Sequence, residues 1–222
     1  MNANTATKLR IDFVSDVVCP WCAIGLTSLE QALQRLHGVV DADLHFQPFE
    51  LDPHTPAAGE DASEHLKHKY SIDDEQLAAN RATIRQRAAA LGFAYNIGPG
   101  SRVYNTLDAH RLLHWAELEG GDALALKKAL LKAYFTDGED VSDHAVLARI
   151  AASAGFDEAA ARALLDGTDY TNEVRDQERR YQTAGIHSVP ATIVNGTQLI
   201  SGGQPPEVFE RALRDIASHG AA

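Results

Sequence analysis

Hydrophobic residues change their period several times along the 222-residue chain, and those changes mark out its elements. Leu9, Ile11 and Phe13 alternate with Arg10 and Asp12, the two-residue period of a half-buried strand. Leu26, Leu29, Leu33 and Leu36 then recur at helical spacing until Gly38 ends the run. Leu44, Phe46 and Pro48 alternate with Asp43, His45 and Gln47, which predicts a second strand ending within Phe49-Glu50-Leu51-Asp52-Pro53. From residue 55 to residue 185 the pattern is helical. Helices are expected over Glu64–Tyr70, Asp74–Leu91 (closed by Gly92), Asn105–Leu118 and Asp122–Phe135. Ser142 is expected to cap a helix carrying Leu147 and Ile150, Asp157 a short one, and Asp169 a longer one with Tyr170, Val174, Glu178 and Tyr181 on one face. Strand periods return at Ala191–Val194 and Gln198–Ser201, joined through Asn195-Gly196-Thr197, a hairpin signal because Asn-Gly tolerates positive φ. Pro205-Pro206-Glu207 opens a last helix with Phe209, Leu213 and Ile216 turned inward.

The resulting order is β-α-β, a helical block, then β-β-α. Its two ends can join into one mixed four-stranded sheet of an α/β protein, with residues 56–185 as a large all-helical insertion. The expected domains are therefore 8–55 with 186–218, discontinuous, and 56–185.

Charge narrows the partners. Twenty basic against 31 acidic residues give a net charge of −11, which argues against nucleic acid and anionic membrane, since both need a basic surface. The stretch from Met1 to Arg10 has no apolar run after its charges, so no secretory leader is expected. A cytoplasmic setting follows as an expectation. In that compartment Cys-x-x-Cys more often signals redox chemistry or metal than a structural disulfide.

Cys19 and Cys22 are the only cysteines, and they stand where strand period gives way to helical period. The thiolate is the reactive form, and a helix amino end lowers a thiol's pKa through its unpaired N–H groups and its dipole. Pro20 suits the first helical position, where no N–H is needed. One turn separates the sulfurs, so Cys19 can attack a disulfide and Cys22, deeper in the helix, can resolve the mixed disulfide. A zinc half-site is the sharper rival, but structural zinc needs about four ligands and no second Cys-x-x-Cys exists. Ordinary core packing of two such cysteines is the bland alternative. Val189-Pro190 precedes a predicted strand, and proline cannot pair normally inside one. A cis bond would turn the Val189 backbone beside the cysteines; a trans proline starting an edge strand is equally open.

Asp16-Val-Val-Cys19-Pro-Trp-Cys22, the late Val189-Pro190-Ala-Thr, and the helical block between them resemble the DsbA-like thioredoxin-fold oxidoreductases, most closely the FrnE-type subgroup. Phe46-Gln-Pro-Phe-Glu-Leu-Asp-Pro53, Asn105-Thr-Leu-Asp-Ala-His-Arg111 and Ser201-Gly-Gly-Gln-Pro-Pro-Glu207 extend the resemblance from residue 9 to residue 216. It implies a thioredoxin fold, a cis peptide at Pro190, and thiol–disulfide exchange through Cys19 and Cys22 on protein or small-molecule disulfides. No tightly bound cofactor is implied beyond the redox-active disulfide itself, with glutathione as a candidate reductant or ligand. Trp21 stands where the familiar DsbA enzymes carry histidine, so it brings no positive charge. The second cysteine pair of some FrnE-type proteins is missing, which removes any relay between two dithiols.

Other residues carry weaker signals. Trp21 offers an apolar platform to substrate. His187 can tune Cys19 or simply face solvent, and Asp16 can assist proton transfer at Cys22 or cap the turn. His110 and His114 share a helix face at metal-capable spacing, yet no third ligand is evident and packing is the default. Asn105 and His110 line the cleft if the family pattern holds. His65 and His68 lie on a Lys-rich turn and read as solvated. Two further functions compete: a kappa-class glutathione transferase or hydroxychromene-carboxylate isomerase, which typically uses serine at the Cys19 position, and a non-catalytic peptide-binding holdase. Sequence leaves monomer and homodimer open.

Overall fold

The computed structural model describes residues 6–219; residues 1–5, where the stretch examined for a leader begins, lie outside them. Strand β1 (Thr7–Ser15) leads into helix α1 (Pro20–Arg35), and β2 (Val40–Pro48) returns parallel to β1, from Thr7 opposite Val40 to Ser15 opposite Pro48. At the far end of the chain, β5 (Ala191–Val194) and β6 (Gln198–Ser201) form a hairpin, followed by α9 (Pro206–His219). Asn195 and Gly196 at its tip take φ of 50° and 70°, as the Asn-Gly pair predicts. β5 runs antiparallel to β1, giving one sheet in the order β2-β1-β5-β6. This is the mixed four-stranded sheet expected, and the fold is thioredoxin-like.

Alternation along β1 sorts the two faces. Leu9, Ile11 and Phe13 enter the main core with Leu26, Leu29, Phe209 and Leu213 from α1 and α9. Phe13 meets Phe46 edge to face at 6.3 Å. Val14 and Ala191 join Phe49 and Ile186 in a smaller cluster on the other face. Asp12, also on that face, accepts from Arg10 and from Gln47 Nε2 at 2.7 Å. The free edge of β2 is covered at Phe46, whose N–H donates to Glu117 Oε1 at 2.5 Å.

Between β2 and β5 run α2 (Ala62–Tyr70), α3 (Asp74–Ala90), α4 (Leu107–Leu118), α5 (Ala123–Lys132), α6 (His144–Ser153), α7 (Glu158–Asp166) and α8 (Thr171–Thr183). This segment is not purely helical. Two-residue strands β3 (Glu60–Asp61) and β4 (Arg102–Val103) pair antiparallel, too short for any periodic signal. Caps explain two shifted boundaries. Asp143, not Ser142, caps α6 by accepting from the Val146 N–H, while the Ser142 hydroxyl donates to Asp140. Tyr170, not Asp169, is the N-cap of α8, in left-handed backbone at φ 63° and with no side-chain cap. Asp157 caps α7 as predicted.

Candidate active site

Cys19 is the N-cap of α1, with Pro20 at the first helical position. Its carbonyl accepts from the Cys22 N–H at 3.0 Å, and its own N–H donates to Asp16 O at 3.4 Å. The Sγ of Cys19 lies 3.7 Å from the Val189 carbonyl oxygen, a sulfur hydrogen bond that joins the first motif to the last. The Val189–Pro190 bond is cis. Pro190 packs directly on α1 because Gly25 lacks a side chain: a Cβ there would sit 2.9 Å from Pro190 Cγ. Gly203 does the same for Trp21, since its Cβ would fall 2.8 Å from the Trp21 carbonyl oxygen.

The two thiols differ in setting. Both are buried, Cys19 at 3% exposure and Cys22 at 0%. Burial pushes the Cys22 thiol well above its ordinary pKa, reinforced by its hydrogen bond to Cys19 and opposed by Lys127 and the Asp16 backbone. That direction favours the protonated form of Cys22 and suits Cys19, at the helix end, to the part of attacking sulfur.

Behind the sulfurs lies a buried charged group. Asp16 is fully buried, and its Oδ2 accepts from the Leu51 N–H at 2.8 Å. Its Oδ1 is 3.4 Å from His110 Nε2. Burial alone would raise the Asp16 pKa, but His110, the Leu51 N–H and Lys127 outweigh it and hold the carboxyl below its ordinary value. Lys127, on α5, is also fully buried, and its Nζ has no hydrogen-bond partner among the described residues. Burial lowers its pKa, while the facing Cys22, Asp16 and Cys19 pull the other way. A lysine in such a place is costly unless it answers a nearby negative charge, and the developing Cys22 thiolate is one. Next to Asp16, the Glu50 N–H donates to Glu178 Oε1 at 2.8 Å, and Arg175 bridges the carboxyl groups of Glu50 and Glu178. Burial, with the Glu178 charge next, pushes Glu50 up to about 8.

The expected site residues divide accordingly. Cys19, Cys22, Pro20, Trp21, Val189 and Pro190 meet at the amino end of α1, and Trp21 is half-buried. His110 reaches the site from behind, as the partner of Asp16. Asp16 does not cap the turn with its side chain; its backbone carbonyl serves there and the carboxylate points inward. His187 is exposed. Asn105 is occupied structurally, donating to Pro53 O and accepting from the Leu107 N–H at the start of α4. His114 packs against Tyr170 at 5.1 Å. His65 is not solvated: it bridges Glu60 and Asp52 at 2.7 and 3.1 Å. Among the described residues no group of three or more His, Cys, Asp or Glu side chains gathers as a metal site, and no helix is long and apolar enough to cross a membrane.

Lys127, Arg87, Gly25, Gly203 and the Glu50–Glu178 pair escaped the sequence reading. One signal for Lys127 was present: it stands four positions before Leu131 and beside Leu126, on the apolar stripe of its helix.

The family model for the DSBA-like thioredoxin domain matches residues 10–214. A probable DsbA oxidoreductase from Streptomyces coelicolor, SCO1869, is 33% identical with a TM-score of 0.86, over 93% of this chain and 89% of that one. The cytosolic disulfide reductase DsbM from Pseudomonas aeruginosa, solved with GSH, shares the fold at a TM-score of 0.67 and 16% identity, over 93% of this chain and 98% of that one. The Bacillus subtilis protein YwbO is 26% identical over 208 residues, 93% of this chain and 96% of YwbO.

Proposed function

Because the chain belongs to the DSBA-like thioredoxin domain family, we propose that it is a thiol–disulfide oxidoreductase of FrnE type, acting as a disulfide reductase or isomerase. One observation carries this reading. Cys19 occupies the N-cap of α1 within sulfur hydrogen-bond reach of Val189 O, with the fully buried Cys22 one turn behind it. Cys19 attacks one sulfur of a substrate disulfide; that S–S bond breaks, the other sulfur leaves as a thiolate, and a mixed disulfide remains on Cys19. Cys22 then gives up its proton towards the buried Asp16–Lys127 group and attacks Cys19 Sγ. The second substrate thiolate departs, and the Cys19–Cys22 disulfide forms. Substrate has gained two electrons and the dithiol has lost them. Two molecules of a thiol such as glutathione restore the dithiol and leave as their disulfide; DsbM, solved with GSH, supports that choice. The thiols, Asp16 and Pro190 belong to segments 8–55 and 186–218, while 56–185 supplies His110, Lys127 and Arg87 around them. Cytoplasm is the compartment that fits a reductase.

Insulin reduction with glutathione as electron donor tests the reading. C19S is expected to fall to background. A C19S protein that reduces insulin at the parent rate overturns it. The equilibrium of the pair with glutathione tests direction: a pair that stays disulfide-bonded at cytosolic poise overturns the reductase assignment.

A further inference from the structure

Trp21 lies between the two thiols in sequence, and its side chain is held from both sides. On one side lies the Gly203 backbone, where a Cβ would fall 2.8 Å from the Trp21 carbonyl oxygen and reach van der Waals contact, 3.4 Å, with Trp21 Cε3. Beside it, Arg87 of α3 places its guanidinium carbon 5.9 Å from the ring centroid. The same guanidinium donates through Nη2 to Gly203 O at 3.0 Å, so one side chain grips both the indole and the loop beneath it. Arg87 itself is fixed: the next residue, Ala88, is buried in the core, and Gln31 of α1 donates to the Leu91 carbonyl at the end of α3 at 3.2 Å. Among the described residues Arg87 forms no ion pair, which leaves its charge directed at the ring. A planar guanidinium suits this double task because it can lie against an aromatic face and donate from its edge in one pre-organised geometry, at less entropic cost than a flexible ammonium.

We infer that Arg87 is a positioning residue of the exchange site, contributed by the helical insertion, which fixes the Trp21 indole as a platform for the polypeptide around the disulfide being exchanged. This rests on the proposed oxidoreductase reading and names its substrate class as peptide or protein disulfides flanked by apolar side chains. Arg87 acts on binding, through Trp21, and not on the sulfurs.

R87M and R87K in the full chain test it with two measurements. In R87M, KM for a peptide disulfide is expected to rise about three- to tenfold while kcat stays within about twofold, the change one lost cation–π contact supports. Acrylamide quenching of tryptophan fluorescence is expected to increase, since Trp115 is buried and the added quenching reports Trp21. R87K is expected to fall between parent and R87M in both. Unchanged quenching and unchanged KM in an active R87M overturn the inference, as does a fall in kcat with KM unmoved. Absence of exchange by the parent chain is a different result: it defeats the oxidoreductase reading, and the substrate class with it, while quenching still reads the hold on Trp21.

Discussion

Replacing Lys127 with methionine tests the electrostatics behind the resolving thiol. Methionine keeps an unbranched side chain of similar length and removes the charge. In the parent, Lys127 opposes the upward push that burial exerts on Cys22, so K127M is expected to raise the Cys22 pKa still further. Asp16 loses a neighbour that helps hold it ionised, so its own pKa is expected to rise as well. A nearby opposite charge shifts a neighbouring group by about one to three pKa units. Each unit cuts the thiolate fraction tenfold but makes the remaining thiolate more nucleophilic, so resolution slows about three- to fourfold per unit. A three- to tenfold slower release of product from the Cys19 mixed disulfide is thus expected, using about the lower part of that range. The assay loads a peptide thiol onto Cys19, quenches aliquots in acid, alkylates them, and follows peptide release across pH. The pH profile of release should move up by about one unit, whereas the initial attack by Cys19 should change far less. Removing an ammonium buried without a hydrogen-bond partner relieves a desolvation penalty, while Asp16 keeps the Leu51 N–H and His110 as neighbours; a thermal melt establishes that K127M is folded before release is measured. A folded K127M with the parent's release rate and pH profile would refute the reasoning.

Two further substitutions address the frame around the site. Glu50, raised from an ordinary 4.5 to about 8, binds its proton more tightly folded than unfolded. Its contribution to stability is therefore complete below about pH 4.5 and is lost as pH rises through about 8. E50Q removes this titration, so its Tm should fall less than the parent's between about pH 5 and 9, and equal falls would exclude Glu50 as the source. G25A drives a methyl group to 2.9 Å from Pro190 Cγ. Overpacking of this kind costs about 1–3 kcal/mol, or about 2–4 °C in Tm per kcal/mol at this chain length, and exchange should slow as Pro190 is displaced. An unchanged Tm and rate would show that the close approach is dispensable.

Much of this architecture is written locally. The alternation at Leu9–Phe13 and the Asn195-Gly196 turn depend on neighbours one to three residues away, and their elements appear where the pattern places them. Cys19-Pro20 marks the start of α1 for the same reason: proline at the first helical position and the period change after it are local facts. The caps of α6 and α8 are shifted by one residue because Ser142 and Asp143, or Asp169 and Tyr170, are adjacent candidates: the Ser142 hydroxyl is taken by Asp140, and Tyr170 starts α8 by its left-handed backbone, not by a side chain. Lys127, Arg87 and His65 are hard to read locally because lysine, arginine and histidine are usually exposed, and the surroundings that bury Lys127 and engage Arg87 come from residues distant in sequence. Arg87 meets Gly203 across 116 positions. No short window carries such a contact.

That division has a consequence for how the site is controlled. On the proposed reading the electron-exchanging groups are Cys19 and Cys22, and they, with the Val189 carbonyl beside Cys19, stand on segments whose geometry is fixed by the sheet and by α1. Sheet and helix supply one electrostatic device at that point, the amino end of α1, which acts on the N-cap sulfur and fades within the first turn. Cys22 lies beyond its best reach and inside the core, so any charge acting on it has to come from another element. α4 brings His110 to Asp16, α5 brings Lys127 to Cys22, and α3 brings Arg87 to Trp21. All three helices belong to the segment between β2 and β5. Substitutions there that preserve core volume should change the pH response and substrate binding of the dithiol, while the Cys19–Val189 contact that defines the exchange geometry stays in place.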